Sequence, residues 1–91
     1  MNIGPDRSAV HLVMRGMQVI DIHGKALGTV TDADYEEQFE QLMFVTVQHG
    51  LLGRKHKTIP AHLVKQVAKG IVTLKFSKAE FKELGDAEAH H

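Results

Sequence analysis

The chain has 91 residues, which suffices for one domain with one modest hydrophobic core. It contains no cysteine, so disulfides, a thiolate nucleophile and a thiolate metal site are all excluded. Eleven basic and eleven acidic side chains give a formal net charge of zero. This balance disfavours a domain that grips duplex nucleic acid, because such domains usually carry a basic excess.

No apolar stretch approaches the roughly 18 residues that a membrane span requires. Residues 1–16 lack the continuous apolar segment and the small-residue cleavage site of a signal peptide. We therefore expect a cytoplasmic protein. A chain of this size buries only about 60–65% of its unfolded surface, so we also expect it to gain stability from self-association.

The first elements predicted along the chain are an N-terminal arm and a β-hairpin. Residues 1–15 form the arm, whose apolar segment 10–14 is either an edge strand or a segment that packs on a partner. Residues 18–22 are rich in β-branched side chains and predict a strand. Gly24 supplies the positive φ angle of a tight turn, and the return strand spans residues 27–33.

Gly28 predicts a bulge within this return strand. In a regular strand Leu27 and Val30 would point to opposite faces, because side chains alternate. One extra residue at Gly28 lets both side chains face the core and bends the strand. Bending of this kind closes a small barrel.

The second half of the chain predicts an acidic connection followed by three strands. The connection spans residues 34–41, and the strand 42–49 begins apolar on both faces. This pattern predicts a central strand whose first half is covered on both sides. A short strand, one helical turn and a last strand are predicted over residues 57–59, 61–64 and 71–76.

The last predicted element is a helix. Residues 77–80 read Ser-Lys-Ala-Glu, which has the form of a capping box. Phe76 and Phe81 flank this box at the two positions of a hydrophobic staple. Gly85 is the predicted stop, and residues 86–91 are expected to form a flexible tail.

Several glycines, one proline and a set of apolar residues occur in a fixed order along the chain. They lie in residues 16–21, 24, 27–30, 42–47, 59–64 and 71–74. This order resembles the PRC-barrel family. The resemblance implies a mainly β fold over residues 16–85, a small and strongly bent antiparallel β-barrel with one C-terminal α-helix. It further implies a non-catalytic module for protein interaction or assembly, without a cofactor and often dimeric. No catalytic or ligand residue is carried over, because the family pattern defines none.

An acidic motif resembles the start of a calcium-binding loop. Asp32, Asp34 and Glu36 alternate as the first ligands of such a loop do. The loop also needs glycine at its sixth position and a bidentate acid at its twelfth. This chain has Glu37 and Met43 there, so we expect a solvated connection.

Three histidines raise the question of a zinc site. Neutral imidazoles bind zinc, but the spacing of His49, His56 and His62 matches no helical or hairpin pair of ligands. We therefore expect surface or rim histidines and no metal. A second interpretation is that their protonation tunes an interface.

A basic run follows the strand 42–49. Arg54, Lys55 and Lys57 could meet either phosphates or an acidic protein surface. The four phenylalanines all fit core or helix-packing positions, which leaves no stacking platform for bases. A nucleic-acid accessory role, with RNA bound by residues 54–57, is therefore the alternative function.

Two leucines at a loop tip are the other candidates for an interface. Leu51 and Leu52 lie between Gly50 and Gly53, and they either tuck over the barrel mouth or stand exposed as a docking patch. Catalysis is not expected, since neither Thr58 nor Ser77 has a base that the sequence makes evident.

Taken together, these patterns predict a homodimeric interaction module, and a further partner protein is left open. The candidate interaction residues lie in the arm, the leucine tip and the basic run: Val10, Leu12, Met14, Leu51, Leu52, Arg54, Lys55 and Lys57. The acidic stretch of one protomer could face the basic run of the other. Such a pairing would set orientation more than affinity.

Overall fold

The computed structural model describes residues 13–84. Its strands are β1 (Gln18–Ile20), β2 (Ala26–Glu36), β3 (Gln41–His49), β4 (Lys55–Pro60), β5 (Val64–Ala68) and β6 (Ile71–Leu74). Two single-turn 3-10 helices, Leu51–Gly53 and Ala61–Leu63, precede β4 and β5. One α-helix, α1 (Lys78–Glu83), follows the last strand.

The six strands form one curled sheet in the order β4-β3-β2-β1-β6-β5. The two edge strands, β4 and β5, are joined by the single turn Ala61–Leu63, so the sheet must curl to bring its edges close at that point. The predicted mainly β, strongly bent fold with one C-terminal helix is confirmed. Four ladders are antiparallel as predicted, whereas β1 and β6 run parallel.

The predicted bulge lies in the β1–β2 ladder, where the register shifts and Leu27 is the extra residue. Leu27 and Val30 are 8% and 1% exposed, so both face the core as predicted. A second shift, in the β2–β3 ladder, follows Val30. Because of these two shifts, the inward side chains of β2 are three residues apart instead of two: Leu27, Val30 and the half-buried Ala33. Repeated bulging bends this long strand.

The β2–β3 hairpin differs from the prediction in two respects. β2 continues to Glu36, so residues 34–36 of the predicted acidic connection are paired with β3. Met43 and Phe44, which were expected to be covered on both sides, are 48% and 36% exposed. Met43 is the extra residue where the β2–β3 register shifts between Asp34 and Tyr35, so it does not follow the alternation of the strand. Phe44 lies on the outer face of the sheet, which the elements within residues 13–84 leave in solvent.

The core fills the concave side of the sheet, and α1 contributes one side chain to it. The buried apolar residues are Val13, Val19, Leu27, Val30, Leu42, Val45, Val47, Ile59, Val72, Leu74 and Phe81. The capping box is confirmed, because Glu80 N donates to Ser77 Oγ at 3.2 Å and Ser77 N donates to Glu80 Oε1 at 2.8 Å. The rings of the staple residues Phe76 and Phe81 stack at 6.4 Å.

The predicted tail 86–91, the helix stop Gly85 and most of the predicted arm 1–15 lie outside the described residues. Val13, assigned to that arm, is a core residue at 2% exposure. No helix within residues 13–84 is long and apolar enough to cross a membrane.

Candidate interaction surfaces

The segment between β3 and β4 exposes two leucines. We call residues 50–54 the leucine loop. Leu51 and Leu52 are 86% and 76% exposed, so of the two predicted placements the exposed one is found. Leu52 has φ 62° and ψ 17°, a left-handed conformation that costs a bulky residue about 1–2 kcal/mol. A strained backbone of this kind persists only when its surroundings hold it in place.

Hydrogen bonds hold the leucine loop in this conformation. The Gln48 side-chain amide donates to the Gly53 carbonyl oxygen at 2.8 Å. Gly53 N donates in turn to the Gly50 carbonyl oxygen at 3.0 Å. The two leucines are thus presented to solvent on a fixed turn.

The basic run is divided by the alternation of β4. Arg54 and Lys55 are exposed, but Lys57 is only 3% exposed because it shares the inward face with Ile59. The Lys57 Nζ donates to the Leu84 carbonyl oxygen at the end of α1. The expectation that Lys57 lies in an exposed basic run is therefore wrong. Its burial also weakens the nucleic-acid alternative, which relied on the whole run.

The opposite end of β3 carries an acidic surface. We call residues 32–41 the acidic hairpin. Asp32, Asp34 and Glu37 are exposed on it. The Glu36 carboxylate accepts hydrogen bonds from Gln38 N at 3.2 Å and Phe39 N at 2.8 Å, which orders the turn.

Exposed apolar side chains accompany these acids. Phe39 is 69% exposed in the turn of the acidic hairpin. Phe44 lies on the outer face of the sheet, in register between Asp34 on β2 and Pro60 on β4. Phe39, Met43 and Phe44 were not predicted as interaction residues, since the sequence pattern assigned the phenylalanines to packing positions.

The two surfaces lie at opposite ends of one strand. β3 runs from the acidic hairpin to the leucine loop over nine residues, a distance of roughly 25 Å. The acidic and basic groups of one chain are therefore too far apart to pair with each other. Each chain presents one apolar, acidic end and one apolar, basic end.

Of the N-terminal candidates, Met14 lies within the described residues, near the acidic end. Met14 is 58% exposed, whereas Val10 and Leu12 lie outside the described residues. The Tyr35 hydroxyl donates to the Val13 carbonyl oxygen at 3.1 Å, which fixes this segment at the base of the acidic hairpin. Burial raises the pKa of the Tyr35 hydroxyl above its ordinary value, so the group remains a donor.

One buried carboxylate was not foreseen. Asp21 is 1% exposed, and its Oδ1 accepts hydrogen bonds from His23 N and Lys25 N, both at 2.8 Å. Its Oδ2 accepts from Lys78 N at 2.8 Å, which ties the β1–β2 turn to the first turn of α1. Burial acts to raise the pKa of Asp21, but the three N–H donors and the charge of His23 outweigh it and hold the pKa below its ordinary value. Asp21 is a structural clamp.

The histidines do not form one cluster. His49 packs edge-on against Phe81 at a ring distance of 5.0 Å. His56 is half-buried on β4, and His62 is exposed on the turn before β5. Between residues 13 and 84, no three His, Cys, Asp or Glu side chains are placed to hold a metal ion.

Within residues 13–84, a curled six-stranded half-barrel with one short helix and exposed apolar ends defines a small β-barrel module. The chain belongs to the PRC-barrel domain family, whose model matches residues 14–81, and this confirms the resemblance seen in the sequence. PRC-barrel domains mediate protein interaction and assembly, and the family is generally non-catalytic. Comparison with curated proteins gives no match.

Proposed function

We propose that this chain is a non-catalytic assembly module that forms a homodimer through the two ends of β3. The observation that carries the proposal is the separation of opposite charges on two exposed apolar surfaces of one strand. In a two-fold dimer the leucine loop of each protomer meets the acidic hairpin of the other. The same contact is then made twice, as an isologous interface requires.

The apolar side chains supply the affinity of this contact. Leu51 and Leu52 on one protomer would cover Phe39 and Phe44 on the other, all of which are at least 36% exposed in the single chain. Burial of apolar area contributes roughly 25 cal/mol per Å². The strained backbone at Leu52 supports this role, because the fold holds a large apolar side chain in solvent at a cost.

The charges supply the orientation. Arg54 and Lys55 would lie beside Asp34 and Glu37 of the other protomer, and they would repel their own counterparts if the protomers met loop to loop. Charge pairs at the rim of an interface mainly set register and association rate. The predicted arm residues Val10, Leu12 and Met14 are proposed to extend the interface at the acidic end, where Val13 enters the fold.

We expect the double variant Leu51→Ser/Leu52→Ser to weaken self-association at least about tenfold, because both central apolar side chains are lost. Sedimentation equilibrium over a range of protein concentrations measures the dissociation constant. Ile22→Ser is the matched control, since Ile22 is 42% exposed on the β1–β2 turn and belongs to neither surface. Equal weakening by the control, or a monomeric wild type, would contradict the proposal.

Charge reversal tests the arrangement itself. We expect Arg54→Glu/Lys55→Glu to be monomeric at low salt because both of its ends are then acidic. Asp34→Lys/Glu37→Lys places positive charge at the two positions that would lie beside Arg54 and Lys55 of the other protomer, and it is expected to be monomeric because these charges repel. Mixing the two variants should restore a dimer, since positions 54 and 55 then meet opposite charges at positions 34 and 37 in both contacts. Native mass spectrometry of the mixture distinguishes the heterodimer from either homodimer, and persistent monomers in the mixture would refute this pairing.

A further inference from the structure

A second feature is a basic cavity between the start of β4 and α1, which borders the leucine loop at Gly50 and Lys55. The cavity has a volume of about 310 Å³ and is lined by His49, Gly50, Lys55, Lys57 and Lys82. Among the described residues that line it, three are lysines and none is acidic. In a chain with no net charge, this is a local concentration of positive charge.

A neighbouring cavity of about 260 Å³ continues the same surface along α1. It shares His49, Gly50 and Lys82 with the first cavity and adds Lys78, one turn earlier on the helix. Within residues 13–84, its lining again includes no Asp or Glu. Both walls of the combined cleft therefore carry ammonium groups, from β4 on one side and from α1 on the other.

The floor of the cleft is fixed by packing. The Lys57 ammonium is held by the Leu84 carbonyl oxygen and lies 5.3 Å from the centre of the Phe81 ring. His49 packs edge-on against the same ring at 5.0 Å. By contrast Lys55, Lys78 and Lys82 are exposed at the rim, where their long side chains can close on a ligand.

A cleft lined by charges of one sign focuses the potential and concentrates the opposite ion. Lysine ammonium groups are recurrent ligands of phosphate, which they bind as point charges. The volume of the first cavity, about 310 Å³, lies at the lower end of the range for small-molecule sites. A cavity of this size suits a compact anion. Phe81 is 2% exposed and offers no stacking surface for a base, so a nucleic-acid strand fits the cleft less well.

We propose that this cleft binds a small dianion of the phosphate type, either free phosphate or the phosphate group of a small monoester. The ammonium groups of Lys55, Lys57, Lys78 and Lys82 surround the anion. Lys78 and Lys82 lie on α1 and outside both dimer surfaces, so variants at these two positions test the cleft without changing the dimer contacts.

The test is a titration of the full-length ¹⁵N-labelled protein, followed by amide chemical shifts, with inorganic phosphate and separately with glycerol 3-phosphate. We expect saturable shifts at Gly50, Lys57 and Lys82 with at least one ligand. Stronger binding of the ester would identify a monoester as the ligand, whereas equal binding would identify the phosphate group alone. The variant Lys78→Ala/Lys82→Ala should weaken binding at least about tenfold, because it removes charge-assisted contacts. It leaves the leucine loop and the acidic hairpin unchanged.

The matched control is Lys65→Ala/Lys75→Ala, which removes the same charge from two exposed lysines outside the cleft. Its binding should equal that of the wild type, and the amide spectra of both variants report whether the fold is kept. Shifts that do not saturate, or equal weakening by both variants, would overturn the proposal. Tighter binding of a short single-stranded oligonucleotide, lost in Lys78→Ala/Lys82→Ala, would also overturn it in favour of nucleic acid.

Discussion

Replacing Gly28 by alanine is expected to lower the free energy of unfolding by at least about 3 kcal/mol, because the new methyl group has no space. A Cβ at this position would lie deep inside van der Waals contact with the carbonyl oxygen of Gln48 and 3.0 Å from Val47 Cγ1. The obstacle is the backbone of β3, so β2 and β3 would have to separate. Urea unfolding at one fixed protein concentration measures the loss.

Gly24→Ala separates this steric effect from the flexibility of glycine. Gly24 has φ +86° and no atom within 4 Å of a built Cβ, so alanine there meets strain of about 1 kcal/mol and no clash. Gly28 is not among the glycines with positive φ. A loss for Gly28→Ala no larger than that for Gly24→Ala would show that β2 and β3 tolerate the methyl group and that the close approach is not required.

The parts of the fold that sequence predicts well are those fixed by local chemistry. The capping box and its staple need only neighbouring residues, and they form as predicted. The bulge beside Gly28 was also predictable, because Leu27 and Val30 are both apolar at a spacing that a regular strand cannot bury on one face. Such a conflict between spacing and burial indicates an irregularity and gives its location.

Elements that depend on distant pairing were missed. β5 carries half-buried valines at Val64 and Val67, three residues apart, because its register on β6 shifts between Val64 and Gln66. That spacing hides the alternation that marks a strand. The acidic end of β2 has low strand propensity and is ordered by its pairing with β3.

The candidate surfaces also differ in whether neighbouring residues or distant contacts determine them. The leucine loop was predicted because glycines flank two leucines, a purely local signal. Lys57 shares the inward face of β4 with Ile59, which is a local signal, but the acceptor that allows its ammonium group to be buried, the Leu84 carbonyl oxygen, depends on where α1 ends in space. Phe44 was misplaced because its exposure depends on whether another element covers the outer face of the sheet, and no element within residues 13–84 does so. A local sequence pattern does not report such a contact.

Replacing Asp21 by asparagine is expected to reduce stability at neutral pH by more than an ordinary surface substitution does. Asparagine keeps the size of the side chain but loses the charge that the backbone N–H groups of His23, Lys25 and Lys78 stabilise. If its amide group took the place of Oδ2, it would oppose the Lys78 N–H, and α1 would lose its link to the β1–β2 turn. Thermal unfolding measures the difference in Tm between Asp21→Asn and wild type.

The pH dependence of that difference identifies the clamp. The pKa of Asp21 is lowered in the folded state, so the stabilisation is fully present above its ordinary value of 3.8 and is lost as the pH falls through the folded value. The Tm difference should therefore stay constant near neutral pH and shrink as the pH falls below about 3.8. Asp32→Asn is the matched control, because Asp32 is exposed and, among the described residues, accepts only from Ala33 N, at 3.1 Å. A Tm difference for Asp21→Asn that is small at neutral pH, or that persists unchanged in acid, would show that the ionised carboxylate does not hold α1 on the sheet.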